Sequence, residues 1–521
     1  MPTFNDARLR PLNDHAANRA GDYVLYWMQM TRRLDRNPAL DFAILRANEW
    51  KKPLVVYEAL KLNYPWASVR IHQFMLEGMA TNARRAKERG INYWPFVETP
   101  DDTGRGLVKK LLANAVCLIT DDYPAYIVPA HNRAIGAAAD VQAIAVDSNG
   151  LIPLRLYGKP VAAAAHLRPR MHKLFAEAWG HRAHAEPEFP KGKVDPPFAV
   201  WNVPVDLPTF VNSLPLDATV TPLAIAGGSD AGRKLLADFV SKKLPRYGTE
   251  RNHPDDPARS SASGLSPWLH FGHVSQQEVA EAVLGKEWTT VEINPKTRNK
   301  DDFFCRDAAV NGFLDELITW RDIGHHWHYI RNLECGTRNA ESKSWQANGE
   351  APTFNFETMD FSPLTKGTLE AVLPVWALKT LGEHATDRRE HLYTLEQFET
   401  AATHDPLWNA AQTELLRTGK IHNYLRMLWG KKVLEWSESP ETAYRILEHL
   451  NNKYAIDGRD PNSYTGILWT FGLFDRPWPP ERRVFGSIRF MSSDNTAKKF
   501  KLAGYYDYVK RLKGVKASLF E

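Results

Sequence analysis

Short apolar runs punctuate the first part of the chain: DYVLYWM at 22–28, PLVVY at 53–57, INYWPFV at 91–97, AVCLIT at 115–120 and VQAIAV at 141–146. Between them, at 37–49, 69–89, 106–113 and 129–139, apolar positions recur at helical spacing. Strands alternating with helices of this length predict a parallel sheet with crossover helices, a Rossmann-like α/β domain. No G-x-G-x-x-G follows the first run, so the standard dinucleotide fingerprint is missing. A ligand of this domain is expected in the crevice at the carboxyl ends of the strands.

Prolines then break the pattern. AEPEFPKGKVDPP at 185–197 and the segment 202–208 resist regular structure, because proline fixes φ and removes a donor. Beyond them helical periodicity dominates, at 232–244, 275–284, 307–327, 369–384, 395–402, 406–418, 421–436 and 440–450. The expected organisation is an α/β domain over 1–182, a linker over 183–228 and an α-helical domain over 229–521. A length of 521 residues accommodates this division. There is no internal repeat and no low-complexity segment.

Composition narrows the class. With 43% hydrophobic and 24% charged residues the chain reads as soluble and globular. No apolar run approaches the ~20 residues of a membrane span, and the polar N-terminus lacks the apolar stretch of a secretory signal. The expectation is a cytoplasmic protein. Three widely spaced cysteines without a C-x-x-C pair argue against a zinc site or a disulfide framework. His325, His326 and His328 lack the H-E-x-x-H frame, so no metal is expected. A net charge of +5 permits nucleic-acid binding without proving it. Arg482, Arg483, Arg489, Lys498, Lys499, Lys501, Lys510, Arg511, Lys513 and Lys516 load the C-terminal end. Such a run is either a solvated face or, with the aromatics that accompany it, a phosphate-contacting one.

Three constellations carry candidate chemistry. Tyr247 to Pro254 is followed by Ser260-Ser-Ala-Ser263-Gly264-Leu265-Ser266-Pro267, with hydroxyls and a glycine ahead of a helical turn. That arrangement suits a phosphate cradle or a plain N-cap before a proline at the first turn. Glu316 and Trp320 are four apart and share a helix face. They suit a base-binding pair, or a solvated edge beside a core residue. In the stretch 407–469, Asn423, Arg426 and Met427 share one face. Arg426 needs a buried partner, for which Asp457 is the candidate. Trp429 and Trp436 lie seven apart, two turns or about 10 Å along one face, and Trp408 precedes them on another helix. Trp408, Trp429, Trp436, Trp469 and Trp478 give the region 401–480 about twice the tryptophan density of the whole chain. They form either an aromatic core or an electron-hopping path between a buried redox cofactor and solvent.

The runs L-S-P-W-L-H-F-G (265–272), F-L-D-E-L-I-x-W-R (313–321), H-N-Y-L-R-M-L-W-G-K-K-V-L-E-W (422–436), L-N-N-K-Y-A-I-D-G-R-D-P-N-S-Y-x-G-I-L-W (450–469) and F-G-x-I-R-F-M-S (485–492) closely resemble the class II cyclobutane pyrimidine dimer DNA photolyases. The likeness spans most of the C-terminal half, and the N-terminal α/β pattern is also that family's. It implies FAD in the helical domain and a light-driven electron transfer from its reduced form to a pyrimidine dimer flipped out of DNA. The cofactor carries the hard chemistry and the protein orients it. Flipping is required because the lesion cannot reach the cofactor within the stack.

The resemblance carries roles to particular residues. Tyr247, Ser263, Leu265 and Ser266 match the FAD phosphate segment. Arg426 and Asp457 match an ion pair beside the isoalloxazine, with Arg459 near, and Asn451 matches the asparagine facing flavin N5. Arg321 is a further flavin-contact candidate. Glu316 matches the glutamate on the dimer's base edge. Trp320, Met427 and Trp469 match the walls of the lesion pocket, with Asn423 beside them. Trp429, Trp408 and Trp436 match the photoreduction chain, proximal to distal. The implied partner is dimer-containing DNA, bound by a monomer. An antenna chromophore, a deazaflavin or a folate, is implied without any motif to place it. The hydroxyl-rich loop reads Ala262-Ser263-Gly264, where the family often has a threonine or asparagine. Residues 286–310 read as an inserted surface loop, and 345–361 as another loop. Three other readings stay open: a cryptochrome-like flavin photoreceptor, a 6-4 photoproduct enzyme, which is expected to need a catalytic histidine, and a light-independent helical DNA-binding protein.

Overall fold

The apolar runs pair as strands because their β-branched and aromatic side chains are buried on both faces, as crossover helices require. A computed structural model describes residues 4–255, 260–297, 299–341 and 368–514. The expected loop at 345–361 and Lys516 lie outside them. The six strands are β1 (Leu9–Pro11), β2 (Tyr23–Met28), β3 (Leu54–Leu60), β4 (Asn92–Val97), β5 (Ala115–Asp121) and β6 (Ala143–Val146). Their order is β1-β6-β5-β2-β3-β4. All neighbours are parallel except β1 against β6, where Leu9 faces Val146. The five expected strands are all present. The antiparallel edge strand β1 is additional, and at three residues it is too short to leave a periodic signal.

Helices cover both faces. Pro38–Trp50 starts where Asn37 accepts from the Leu40 amide, and Val69–Arg89 starts where Ser68 accepts from that of Ile71. Val69–Arg89 and Ala164–Gly180 also reach into the C-terminal half. Phe74 packs edge-on against Trp268 at 5.4 Å, and Phe175 against Phe304 at 4.9 Å, all inside one apolar cluster. That cluster revises the reading of 286–310. Its charges among the described residues are exposed, but Trp288, Phe303 and Phe304 are buried against Phe175, so aromatic anchors hold the segment down. Within 183–228 a short helix, Leu207–Ser213, does form. Asp206 caps it and its proline sits in the first turn, where the missing N–H costs nothing. Upstream of it, Phe198 packs against Tyr57 and Trp94, and the Trp201 amide donates to the Pro95 carbonyl.

From residue 229 to 514 every regular element among the described residues is helical. Two expected helices are interrupted. The helix expected at 307–327 runs as Ala308–Leu314, a π-turn over Asp315–Trp320, and Arg321–Glu341. Pro374 divides the other into Thr368–Val372 and Val375–Glu383. Four helices frame the tryptophan-rich stretch: Pro406–Thr418, Asn423–Trp436, Pro440–Tyr454 and Pro461–Thr470. The last was not anticipated, although Asp460 at its N-cap and Pro461 in its first turn are its start signal. It crosses Asn423–Trp436 closely at Gly430, where a β-carbon would fall 2.6 Å from Thr470 Oγ1.

Candidate functional site

The Asn423–Trp436 helix begins in a hydrogen-bonded junction. His422 caps it, its Nδ1 accepting from the Tyr424 amide at 3.3 Å, while Nε2 lies 3.1 Å from the Arg251 carbonyl. One neutral tautomer serves both contacts, and burial lowers the His422 pKa to about 4. Arg251 extends the junction. Its Nη1 donates to the Tyr247 hydroxyl at 2.8 Å, its Nη2 to the Glu316 carboxylate, and its guanidinium lies over the Tyr247 ring. Burial opposes the charge on Arg251, but Glu316 outweighs it and holds the group above its ordinary value. The Tyr247 segment, Glu316 and the start of the helix that carries Asn423, Arg426 and Met427 are thus one network. Arg251 and His422 stand within quoted motifs but had no assigned role. Only their contacts reveal them.

Glu316 sits on the π-turn, a distortion frequent at functional sites. Trp320, at the end of that turn, is 42% exposed. In the hydroxyl-rich loop, Ser263 Oγ accepts from the Leu265 amide at 3.4 Å, and Ser261 donates to Glu250 at 2.5 Å. Leu265 is buried in the core and Ser266 is exposed at the start of the Ser266–His270 helix.

Arg426 is half-buried, and its partner differs from the one expected. Nη2 donates to the Asn451 side-chain oxygen, with Ser463 Oγ at 3.5 Å. No ion pair joins Arg426 to Asp457 among the described residues. Asp457 meets this cluster through its backbone, its carbonyl accepting from Ser463 Oγ at 3.0 Å. The Asn451 amide is otherwise spent on the Gly458 carbonyl and on Asn452, so its oxygen faces the guanidinium. Two other candidates are engaged elsewhere. Arg459, 2% exposed, donates to the carbonyls of Asn452 and Ile456 at the end of Pro440–Tyr454. Arg321 donates to the Asn149 carbonyl at 2.5 Å and lines a cavity of about 20 Å³ with Met30, Thr31, Tyr123 and His270. This cavity lies at the carboxyl ends of β2 and β5, the crevice the strand pattern predicts, and it is the size of a water molecule.

The tryptophans divide. Trp408 stacks on Trp429 with ring centroids 6.5 Å apart and planes 6° from parallel, and meets Trp436 edge-on at 6.2 Å. The Trp408 N–H donates to the Trp429 carbonyl at 3.0 Å, and the Trp429 N–H to Gln412 at 2.9 Å. Gln412 is four residues after Trp408 on the same helix face, a spacing visible in the sequence. All three indoles are buried. Trp469 is half-buried and lies under two cations: Lys431 Nζ is 4.5 Å from its ring and the Arg489 guanidinium 5.7 Å. Lys431 is fully buried, donating to the Thr470 carbonyl at 2.7 Å at the end of the Trp469 helix.

Chemically, the junction offers Arg426 beside the Asn451 carboxamide, Arg251 with the Tyr247 hydroxyl, and a serine-bearing loop. Two part-buried cations with amide and hydroxyl neighbours fit an electron-rich heteroaromatic with a phosphate tail, so the donor set fits FAD. Among the described residues no cluster of histidine, cysteine, aspartate or glutamate suits a metal. Of the C-terminal cations, Arg489 pairs with Asp475, Arg483 with Glu390 and Lys510 with Asp507. Lys499 lies over the Tyr424 ring at 4.6 Å, beside the start of the central helix. No helix among the described residues is long and apolar enough to cross a membrane.

Comparison with known proteins gives the following. The chain is 31% identical to a deoxyribodipyrimidine photo-lyase of Methanothermobacter thermautotrophicus, across 97% of this chain and 98% of that protein. It is 32% identical to one of Arabidopsis thaliana, across 94% and 90%, and 30% identical to one of Potorous tridactylus, across 96% and 84%. Among solved structures it resembles a bacterial class III photolyase from Agrobacterium tumefaciens, with a TM-score of 0.59 at 16% identity over 96% of this chain and 86% of that one. The Synechocystis sp. PCC6803 cryptochrome gives the same TM-score and identity over 95% and 90%. No family model matches.

Proposed function

Because this chain belongs to the photolyase/cryptochrome family, we propose that it repairs cyclobutane pyrimidine dimers in DNA under light, as a class II enzyme. It is a deoxyribodipyrimidine photo-lyase type of enzyme, and its family is one of flavoproteins. The observation that carries the reading is the Asn423–Trp436 helix. Its first turn presents Arg426 against Asn451 with Met427 beside it, and its second brings Trp429 onto Trp408. Cofactor charge, lesion contact and electron supply then share one rigid element.

Reduced FAD, when bound, supplies the light-absorbing electron donor. The protein's own groups do the rest. Lys499 and the exposed cations around it contact phosphates, positioning the duplex without reading its sequence. Trp320, Met427 and Trp469 wall the pocket that receives the flipped dimer. Exclusion of water there strengthens every polar contact made inside. The Glu316 carboxylate, oriented by Arg251, accepts from a base N–H of the dimer. Arg426 favours a negatively charged cofactor, and Asn451 fixes the guanidinium that does so. Trp429, Trp408 and Trp436 pass electrons inward to restore the reduced state.

The reading assigns 1–182 to an antenna-type α/β domain, 183–228 to a linker and 229–521 to catalysis, in a cytoplasmic monomer. Its test is repair of dimer-containing DNA in light and in darkness, with chromophores extracted from the same preparation. Flavin together with light-dependent loss of dimers is the expected result. Flavin without repair would turn the assignment to a photoreceptor, and protein without flavin would overturn it.

A further inference from the structure

Lys431 is a fully buried cation for which neither the lesion pocket nor the electron path has yet given a use. Among the described residues no carboxylate pairs with it. Its Nζ is held by backbone carbonyls at the C-terminal end of the Pro461–Thr470 helix, that of Thr470 at 2.7 Å and that of Trp469 at 3.5 Å. The partial negative charge of a helix C-terminus suits a cation. Burying one without a counter-ion is nonetheless costly. Desolvation therefore pushes the Lys431 pKa down to about 7, with Asp475 opposing and Arg489 adding to the shift. The outcome of this placement is an ammonium 4.5 Å from the Trp469 ring.

The indoles of this region stand in different electrostatic settings. Trp408 and Trp429 contact each other and neutral hydrogen-bond partners, with no cation over either ring among the described residues. Trp436 has the Lys432 ammonium 5.2 Å from its ring, but that ammonium pairs with Glu435 at 2.6 Å. The Arg489 guanidinium, 5.7 Å from the Trp469 ring, pairs with Asp475 at 2.8 Å. Of these cations only Lys431 lacks a carboxylate. An indole that gives up an electron keeps a positive charge on its ring. A bare ammonium beside the ring repels that charge, and a buried site screens the repulsion little. We propose that Lys431 guards Trp469 against oxidation, so that the wall of the lesion pocket does not compete with the buried series as an electron donor. This rests on the lesion pocket and the tryptophan series of the proposed function. The step held back is loss of one electron from the Trp469 indole to a light-excited oxidised flavin. It would reduce the flavin by one electron and leave a Trp469 radical cation inside the pocket. Trp429, without a cation over its ring, gives up the electron instead. Lys431 acts through the Trp469 ring and is a positioning residue.

The test uses flavin-loaded Trp429→Phe protein, in which the series is cut, and a light flash. This variant should give little tryptophan radical. Adding Lys431→Met, which keeps the length of the side chain without its charge, should raise the radical yield about tenfold or more, an effect within the Coulomb energy of two charges at this separation. Adding Trp469→Phe as well should remove the gain. A second arm leaves Lys431 in place. Raising the pH of Trp429→Phe should raise the radical yield through a midpoint near the Lys431 pKa of about 7, and Lys431→Met should abolish that dependence. In the dark, carbon-13 NMR of the same protein should find the Lys431 ε-carbon shifted by the Trp469 ring, and Trp469→Phe should change that shift. If Lys431→Met and high pH both leave the radical yield of Trp429→Phe unchanged, the guard is wrong and the series stands. If Trp429→Phe photoreduces as the wild type does, the series itself fails and takes the guard with it.

Discussion

Trp408 and Trp429 face each other 6.5 Å apart and 6° from parallel, and the Trp408 N–H is bonded to the Trp429 carbonyl. The bond locks one indole to the backbone that carries the other, so their relative orientation cannot drift. Trp408 meets both Trp429 and Trp436. Trp408→Phe is therefore expected to lower light-driven reduction of the oxidised cofactor at least tenfold while sparing repair by chemically reduced enzyme. Flash photolysis and a repair assay on one preparation check this. Loss of the bond and of ring volume should also cost about 1–3 kcal/mol of stability.

Glu316 carries a separable role. Glu316→Gln keeps the shape but loses the charge that Arg251 and a base N–H would share. A hydrogen bond to a charged group is worth about 1.5–3 kcal/mol, so preference for dimer-containing over undamaged DNA should fall about tenfold or more. Competition binding reads this, with flavin content as the control. Unchanged preference would remove Glu316 from the lesion pocket.

Lys431 predicts a pH effect. Its ammonium is fully buried, and desolvation lowers its pKa to about 7 from 10.5. Between those values the unfolded chain binds more protons than the folded one, so stability rises with pH by up to about 1.4 kcal/mol per unit. The gain is complete above the unfolded value and lost as pH falls through about 7. Lys431→Met should flatten this slope in denaturant titrations at several pH values. A slope unchanged by the substitution would contradict the assignment.

Docking on phosphates should show in salt dependence. The logarithm of affinity for dimer-containing DNA should fall linearly with the logarithm of salt concentration, and Lys499→Ala should reduce that slope by about 1 while leaving lesion preference unchanged. A slope that is flat or identical in the variant would place DNA elsewhere.

Local pattern carried much of this molecule. Apolar runs specified five parallel strands, and Val69–Arg89 and Pro406–Thr418 match the helices read from periodicity, because a buried face and a cap are both properties of neighbouring residues. The same logic brought Asn423, Arg426 and Met427 onto one turn. It failed where the decisive partner is remote. Residues 286–310 read as a solvated loop because charges outnumber the three aromatics that bury against Phe175.

What the sequence determined by itself was the set of elements and the chemistry strung along them. Only the tertiary structure decided the partners: Asn451 rather than Asp457 for Arg426, Arg251 for Glu316, Asn149 for Arg321, and Trp408 between two indoles of another helix. The reason is physical. Periodicity tells which face of a helix is buried, but a hydrogen bond or ring contact depends on how two helices cross. That crossing is set by packing between residues far apart in the chain, as at Gly430 and Thr470.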